Sequence, residues 1–332
     1  MPELSDAAVE RLRQVGGWPD LTGTRYSLIG EVGRGGMGAV YLVHDRLLDR
    51  RVAMKVLAAS HGSEDLAARL EREARVLGRL EHPGIVPVHD AGRLPDGRVF
   101  YAMKYVQGTR LDHHLLATPA LPERLRVFLR VSEAIAFAHD AGVLHRDIKP
   151  ENIMVGAFGE VLVLDWGIAK VRSETVVDPD DTGLGEEAAG PGNTQSGTVL
   201  GTPGYMAPEQ ASGQVNLVDE RSDVFALGCL LQMMVVPDLL EAGPDAGAWP
   251  TTPRALSAIG RKAMAAEPDG RYRSAAEMAE DVAKFLDRLP VSAYREPPWE
   301  RAWRVTLKYR TPVILVLAYL AVRLILLLAR SD

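Results

Sequence analysis

Two short strings constrain this chain more than anything else in it: His145-Arg-Asp-Ile-Lys-Pro-Glu-Asn152 and Leu164-Asp165-Trp-Gly167. Apolar runs flank both, Ile153-Met-Val155 after the first and Val161-Leu-Val-Leu164 leading into the second. The pattern predicts a turn and a hairpin that bring Asp147, Asn152 and Asp165 onto adjacent loops. Two carboxylates and a side-chain amide are hard oxygen donors suited to Mg2+, which keeps several waters and shares phosphate ligands. Asp147 is a candidate to accept a proton from an attacking hydroxyl. Turn chemistry explains each residue singly, because Asp, Asn and Gly favour turns, but not their joint occurrence in this order.

Upstream, Gly33-Arg34-Gly35-Gly36-Met37-Gly38-Ala-Val40 is a glycine-rich loop. Such a loop lets backbone N–H groups approach phosphate oxygens without side-chain obstruction. The following Ala39-Val-Tyr-Leu-Val43 reads as a strand, not the helix that a dinucleotide-binding fold requires. Val52-Ala-Met-Lys55 alternates, and Lys55 shares a face with Ala53 and Leu57. Glu73 falls inside the apolar stripe of a helix read over Ser63 to Leu80, three after Leu70 and four before Leu77. A buried carboxylate needs a partner, and Lys55 is the candidate.

The 332 residues carry 38 Lys and Arg against 44 Asp and Glu, a net charge of −6 that argues against nucleic acid as the main partner. A lone cysteine, Cys229, excludes a disulfide framework and fits a reducing compartment. Charged residues in the first 20 positions leave no apolar core, so no secretory leader is expected. Residues 1–24 read as a weakly ordered leader, 25–106 as mainly strands, and the rest as helices at Glu123–Ala141, Asp223–Val236, Pro253–Ala266 and Ser274–Leu289. Ser173 to Gly197 holds six acids and no base and reads as a long loop. Arg295 to Arg310 has five bases, two acids and interleaved Trp299, Trp303 and Tyr309. Val313 to Ala329 is apolar except for Tyr319 and Arg323. Its twelve Val, Ile and Leu residues contribute about −5 kcal/mol toward membrane insertion, against about +3 for one Arg. A short membrane-spanning helix with the preceding domain on the cytoplasmic side is expected, and nothing folded beyond it. An amphipathic or buried terminal helix is the competing reading.

In order along the chain, Gly33 to Gly38, Val52-Ala-Met-Lys55, Glu73, His145-Arg-Asp147, Asn152, Asp165-Trp-Gly167 and Ala207-Pro-Glu209 resemble the eukaryotic-type (Hanks) serine/threonine protein kinases, particularly the bacterial ones. The match runs from about Tyr26 to Leu289. The resemblance implies an α+β bilobal fold. An extension (1–25) precedes a β-rich N-lobe (26–106) and a helical C-lobe (107–289) whose activation segment (168–200) carries the acidic insertion. A basic-aromatic juxtamembrane segment (290–311) and the hydrophobic helix (312–329) follow. It implies ATP and Mg2+, with Mn2+ as a substitute ion, and protein substrates presenting Ser or Thr. Gly33 to Gly38 would cover the phosphates, and Lys55 would contact them while paired with Glu73. Val40, Ala53 and Met154 would sandwich adenine, with Met103 behind and Lys104, Tyr105 and Val106 in the hinge. Asp147 would be the base, Lys149 would steady the γ-phosphate, and Asn152 and Asp165 would hold metal. Glu209 would pair with Arg271, Asp223 would brace the catalytic loop, and Arg146 would receive a phosphate from the activation segment. Thr194, Ser196 and Thr198 are the candidate acceptors, Thr202 is assigned to positioning Asp147 and Lys149, and a homodimer for autophosphorylation is a further expectation.

Three departures stand out. Trp166 replaces the usual Phe, Lys104 replaces a common hinge Glu, and only 25 residues run from Cys229 to Pro253, a region usually longer and used in substrate docking. A pseudokinase scaffold and a small-molecule phosphotransferase are the competing functions. The pair His113-His114 reads as a solvated face, because adjacent side chains diverge on a helix. Trp249, Met233 and Met234 read as packing residues.

Overall fold

Strand β2 (Gly38–Asp45) buries every second residue, and Ala39, Tyr41 and Val43 form the inner face of the N-terminal sheet. It pairs antiparallel with β1 (Tyr26–Gly35) and with β3 (Arg50–Leu57), and the sheet is completed by β4 (Val88–Arg93) and β5 (Val99–Lys104) in the order β1-β2-β3-β5-β4. The period-two alternation of β-branched and aromatic residues is what a half-buried strand requires. The computed structural model describes residues 18–35, 38–57, 64–118, 120–166, 170–171, 204–214, 217–236, 238–239, 244, 249, 252–301, 319–320 and 322–323.

Helix α1 (Glu64–Leu77) lies against this sheet and buries Leu70, Ala74 and Leu77. It stops three residues short of the expected Leu80, in a turn closed by Gly78 N–H to Ala74 O. Beyond the hinge come β6 (Gly108–Arg110) and α2 (Leu111–Ala117), a short helix that the sequence reading missed. Helix α3 (Leu121–Asp140) is the spine of the C-lobe: Leu125, Phe128, Val131, Ala134, Ile135 and Ala138 are fully buried. Burying each of the larger of these contributes about 1.5–3 kcal/mol. The expected hairpin is β8 (Ile153–Gly156) with β9 (Val161–Val163), joined to β6 in the order β6-β8-β9; β7 (Val143–Leu144) pairs with β10 (Lys170–Val171). The helix pattern continues with the one-turn α4 (Pro208–Ala211), then α5 (Glu220–Val235), α6 (Arg254–Ala263) and α7 (Ala275–Leu286). Asp219 caps α5 and Ser274 caps α7, each accepting from a backbone N–H of the first turn. Trp249 packs so closely on α6 that a Cβ at Gly260 would lie 2.0 Å from its ring.

The two ends differ from expectation. From Trp18 onward the expected loose leader is held: Trp18 O accepts from Arg98 Nη2 at 2.6 Å, and Asp20 N donates to Asp96 Oδ2 at 3.0 Å. At the other end, residues 290–301 fold back onto the C-lobe, with Val291 buried. The bilobal β-then-helical architecture is therefore seen, whereas the expected terminal helix falls on a stretch that lies almost wholly outside the described residues. Among the described residues no helix is long and apolar enough to cross a membrane, and 312–329 lies outside them except for 319–320 and 322–323. The acidic loop, Gly36, Met37, Gly167, Thr194, Ser196, Thr198 and Thr202 also lie outside the described residues.

Candidate active site

Lys55 and Asp165 are 110 positions apart in sequence, yet Lys55 Nζ lies 2.7 Å from Asp165 Oδ1. The same ammonium donates to Glu73 Oε1 at 2.9 Å and Oε2 at 3.1 Å. Register explains its reach: on β3, Lys55 stands between Val40 of β2 and Tyr101 of β5. Tyr101 Oη donates to Glu73 Oε1 at 2.7 Å, a partner that the sequence reading did not identify. Burial works against the lysine charge, but the attraction of Glu73 and Asp165 outweighs it and holds the Lys55 pKa above its usual value. Burial pushes the Glu73 carboxyl up, opposed by Lys55. The two partners contrast: the Glu73 side chain is 2% exposed, that of Asp165 51%. Glu73 therefore anchors the lysine, while Asp165 faces outward. Burial pushes the Asp165 pKa up as well, but Lys55 more than offsets it and keeps it below the usual carboxylate value.

The segment 145–152 is fixed by Asp223 on α5. Asp223 Oδ2 accepts from His145 N and Asp223 Oδ1 from Arg146 N, both at 2.8 Å, and His139 Nε2 on α3 lies 2.8 Å from Oδ2. Asp223 is fully buried, which pushes its pKa up, but His139 and these donors reverse the sign and hold the carboxylate ionised. His145 Nε2 meets Leu164 O at 3.1 Å, so one ring ties the first string to the second. Trp166 is buried against that ring with centroids 4.6 Å apart, and its Nε1 donates to Val163 O at 3.4 Å. Here the larger aromatic is a packing wedge under the loop.

Asp147 is buried and flanked. Lys149 Nζ lies 2.7 Å from Asp147 Oδ2, and Asn152 Nδ2 donates to Asp147 Oδ2 at 3.1 Å and to Asp147 O at 2.8 Å. With its NH2 committed to Asp147, the Asn152 amide offers its carbonyl oxygen as an acceptor. No group of three or more His, Cys, Asp or Glu is placed to hold a metal among the described residues. The oxygen donors are Asp165 and Asn152, a sparse set that fits a cation keeping waters and taking phosphate ligands. His113 and His114 join no such group, and His113 is exposed.

Two residues in these strings, Arg146 (φ 69°) and Asp165 (φ 60°), adopt left-handed backbone. That conformation costs non-glycine residues of order 1–3 kcal/mol and clusters at functional sites.

The glycine loop divides by cause. A Cβ at Gly38 would lie 2.2 Å from Val56 O, so strand pairing alone demands glycine there. At Gly33 and Gly35 a Cβ would meet no protein atom within 4 Å, and neither has a positive φ, so neither packing nor conformation explains them. Arg34 turns back to Glu31 at 2.7 Å. Ala53 is buried and paired in register with Met103 on β5; Met103 and Met154 are half-buried. Lys104 N donates to Pro87 O at 3.1 Å, and Tyr105 and Val106 follow between β5 and β6.

Below the site, Arg271 Nη1 and Nη2 bind Glu209 Oε1 and Oε2 at 2.7 and 2.8 Å, and both side chains are buried. Ser222 Oγ also donates to Glu209, at 2.6 Å. Burial pushes the Glu209 pKa up, but these donors bring it below the usual value. A cavity of about 1020 Å3 lies elsewhere, at the base of the C-lobe between α3, α6, α7 and residues 291–300, away from these groups.

The protein kinase domain matches residues 26–289. A probable serine/threonine-protein kinase of Streptomyces coelicolor is 37% identical over 297 residues, covering 83% of this chain and 42% of that protein. The serine/threonine-protein kinase PrkC of Bacillus subtilis is 33% identical over 283 residues, covering 79% and 41%. The chain thus spans about two-fifths of the length of these relatives. Among solved structures, the PknI kinase domain of Mycobacterium tuberculosis superposes with a TM-score of 0.55 at 28% identity, covering 78% of this chain and 95% of that one. With the fold, the Lys55–Glu73–Asp165 cluster and the Asp147–Asn152 loop all in place, the chain belongs to the protein kinase domain family, in its bacterial Hanks-type serine/threonine branch.

Proposed function

We propose that the chain transfers the γ-phosphate of ATP to Ser and Thr hydroxyls of proteins, itself included. The observation that carries this is the convergence of Lys55, Glu73 and Asp165 at one point of contact, with Asp147 held by Lys149 and Asn152 on the loop tied to Leu164 through His145. Phosphoryl transfer needs in-line positioning and charge neutralisation more than covalent help from protein. Asp147 accepts the proton of the acceptor hydroxyl as its oxygen bonds to Pγ and the bond from Pγ to the ADP oxygen breaks. Lys55 and Lys149 neutralise phosphate charge. Asn152 and Asp165 would hold a divalent cation, with Mg2+ the fitting ion, which supplies further charge neutralisation when bound. Gly33 and Gly35 leave the backbone open to the phosphates, and Val40, Ala53, Met154 and Met103 make the adenine site beside the hinge at Lys104 to Val106.

The test is incorporation of labelled γ-phosphate by the wild type and by Asp147→Asn. Transfer by the first and its loss in the second are expected. Magnesium-ATP binding without transfer in the wild type would instead select a pseudokinase scaffold.

Regulation follows from Arg146. Its Nε is buried with no hydrogen-bond partner among the described residues, and burial lowers its pKa. A phosphate on Thr194, Ser196 or Thr198 would satisfy that donor. Mass spectrometry after ATP incubation checks it; phosphate found only outside 170–202 would remove the idea. The apolar run 313–329 supports a single-pass anchor in the cytoplasmic membrane with the kinase domain in the cytoplasm. Because Val291 to Tyr294 pack on the C-lobe, the informative truncation is after Arg301. Unchanged membrane recovery of that variant would rule the anchor out.

A further inference from the structure

We propose that Gln210 is a positioning residue for phosphoryl transfer, its side-chain amide locking the Arg146–Asp147 peptide to the segment that ends at Ala207. The inference rests on Asp147 as the base. Gln210 is 8% exposed and both ends of its amide are used: Nε2 donates to Arg146 O at 3.2 Å, and Oε1 accepts from Ala207 N at 3.2 Å. The carbonyl of Arg146 and the N–H of Asp147 belong to one planar unit. That unit is gripped from the other side as well, because Asp147 N donates to His145 Nδ1 at 3.2 Å. Arg146 N is held by Asp223 Oδ1.

These bonds restrain a peptide that follows a left-handed Arg146. A non-glycine residue relaxes from that conformation unless its surroundings over-determine it. Relaxation would rotate the Arg146–Asp147 plane and swing the Asp147 side chain away from Lys149 and Asn152. Of the three restraints, His145 and Asp223 lie within the catalytic loop and its supporting helix, whereas Gln210 comes from a different part of the chain. It sits on α4, next to Glu209, whose buried pairing with Arg271 fixes that short helix. A rigid line therefore runs from Arg271 through α4 to the peptide that aims the base. The chain entering Ala207 is tied to the same amide, so displacement of that segment is transmitted to Asp147.

The test uses the full chain with magnesium-ATP and dephosphorylated casein as acceptor. Gln210→Glu keeps the length and the acceptor for Ala207 N but sets a carboxylate oxygen against Arg146 O. Gln210→Met keeps the length and removes both bonds. Loss of a hydrogen bond that acts on the base predicts a fall in kcat of about ten-fold or more. The KM for ATP and the thermal midpoint should stay near wild type, and Gln210→Glu should be at least as impaired as Gln210→Met. A second readout does not depend on activity: amide hydrogen exchange in a peptide spanning 143–152 should quicken in both variants. Wild type without transfer would overturn the kinase reading, and the exchange measurement would still decide the link. Unchanged exchange with kcat within two-fold of wild type overturns the proposal. So does a loss of kcat matched by equal losses of nucleotide binding and folded protein, or failure of both variants to fold, since either marks a purely structural role.

Discussion

Asp281 on α7 is 1% exposed and accepts four hydrogen bonds: from Tyr272 Oη at 2.9 Å, Ser292 N at 2.8 Å, Ser292 Oγ at 2.7 Å and Ala293 N at 3.1 Å. Three of the four come from beyond residue 289, where the match to the kinase domain ends. Replacing Asp281 by Ala removes all four. The Tyr272 hydroxyl, in a side chain with 0% exposure, is left without an acceptor at a cost of about 1–3 kcal/mol. The donors of Ser292 and Ala293 are closer to solvent and rehydrate, so losing their charge-assisted bonds costs about 1–2 kcal/mol in all. Fraying of 290–294 then unseats part of Val291. The expected total is of order 3–5 kcal/mol. At about 2–4 °C per kcal/mol for a domain of this size, the thermal midpoint should fall by about 6–20 °C. Calorimetry measures it, and trypsin cleavage after Arg295 and Arg301 reports release of residues 290–294, the strap that these bonds hold to the C-lobe. A fall below about 2 °C with unchanged cleavage would refute the assignment of the strap to the fold. The pH dependence carries a sign. Burial pushes the Asp281 pKa up, but Ser292, Tyr272 and Ala293 hold it below its ordinary 3.8. A depressed carboxyl stabilises the fold fully above its unfolded pKa and loses that contribution as pH falls through the folded one. The gap between wild type and Asp281→Ala should therefore be flat through neutral pH and narrow only below about pH 4.

Lys55→Met removes the charge facing Asp165 and should cut kcat by about 10²–10³-fold. Glu73→Gln leaves the lysine charge in place but loosens its aim, so its main effect should be a higher KM for ATP in a transfer assay. Arg271→Ala leaves Glu209 buried and uncompensated, and should destabilise by about 3–5 kcal/mol in urea titration. Burial pushes the Cys229 thiol pKa up to about 12, so iodoacetamide at pH 8 should label it only in denatured protein.

Much of the fold was legible because its signals are local. The strand alternation, the apolar stripe of α1 and the spacing within α3 each reflect burial on one face, and each located an element to within a few residues. Lys55 and Glu73 were legible as a pair because each is a charge on an apolar face, which leaves few physical options. What escaped notice has no local signature. Tyr101 reaches Glu73 from a strand that reads as ordinary core. The strap at 290–294 is recognisable only through Asp281, since Val291-Ser-Ala-Tyr294 looks like linker composition. Gln210 carries no pattern of its own beyond following Glu209.

The left-handed Arg146 and Asp165 show where sequence rules and function part ways. Backbone preference alone puts glycine at both positions, and the chain spends 31 glycines elsewhere. Glycine at 165 would remove the carboxylate that meets Lys55, and glycine at 146 would remove the guanidinium whose buried Nε lacks a partner among the described residues. The side chains are therefore held against the conformational cost. That requires surrounding bonds: Asp223 and Gln210 on Arg146, and the buried Trp166 packed on His145 beside Asp165. It follows that Arg146→Gly should relax the loop and Asp165→Gly should relieve strain while abolishing the Lys55 contact. A double comparison of stability against transfer rate would separate the two. Stability near or above wild type, with activity lost in Asp165→Gly, would mean that the strain is kept for the carboxylate and not for the fold.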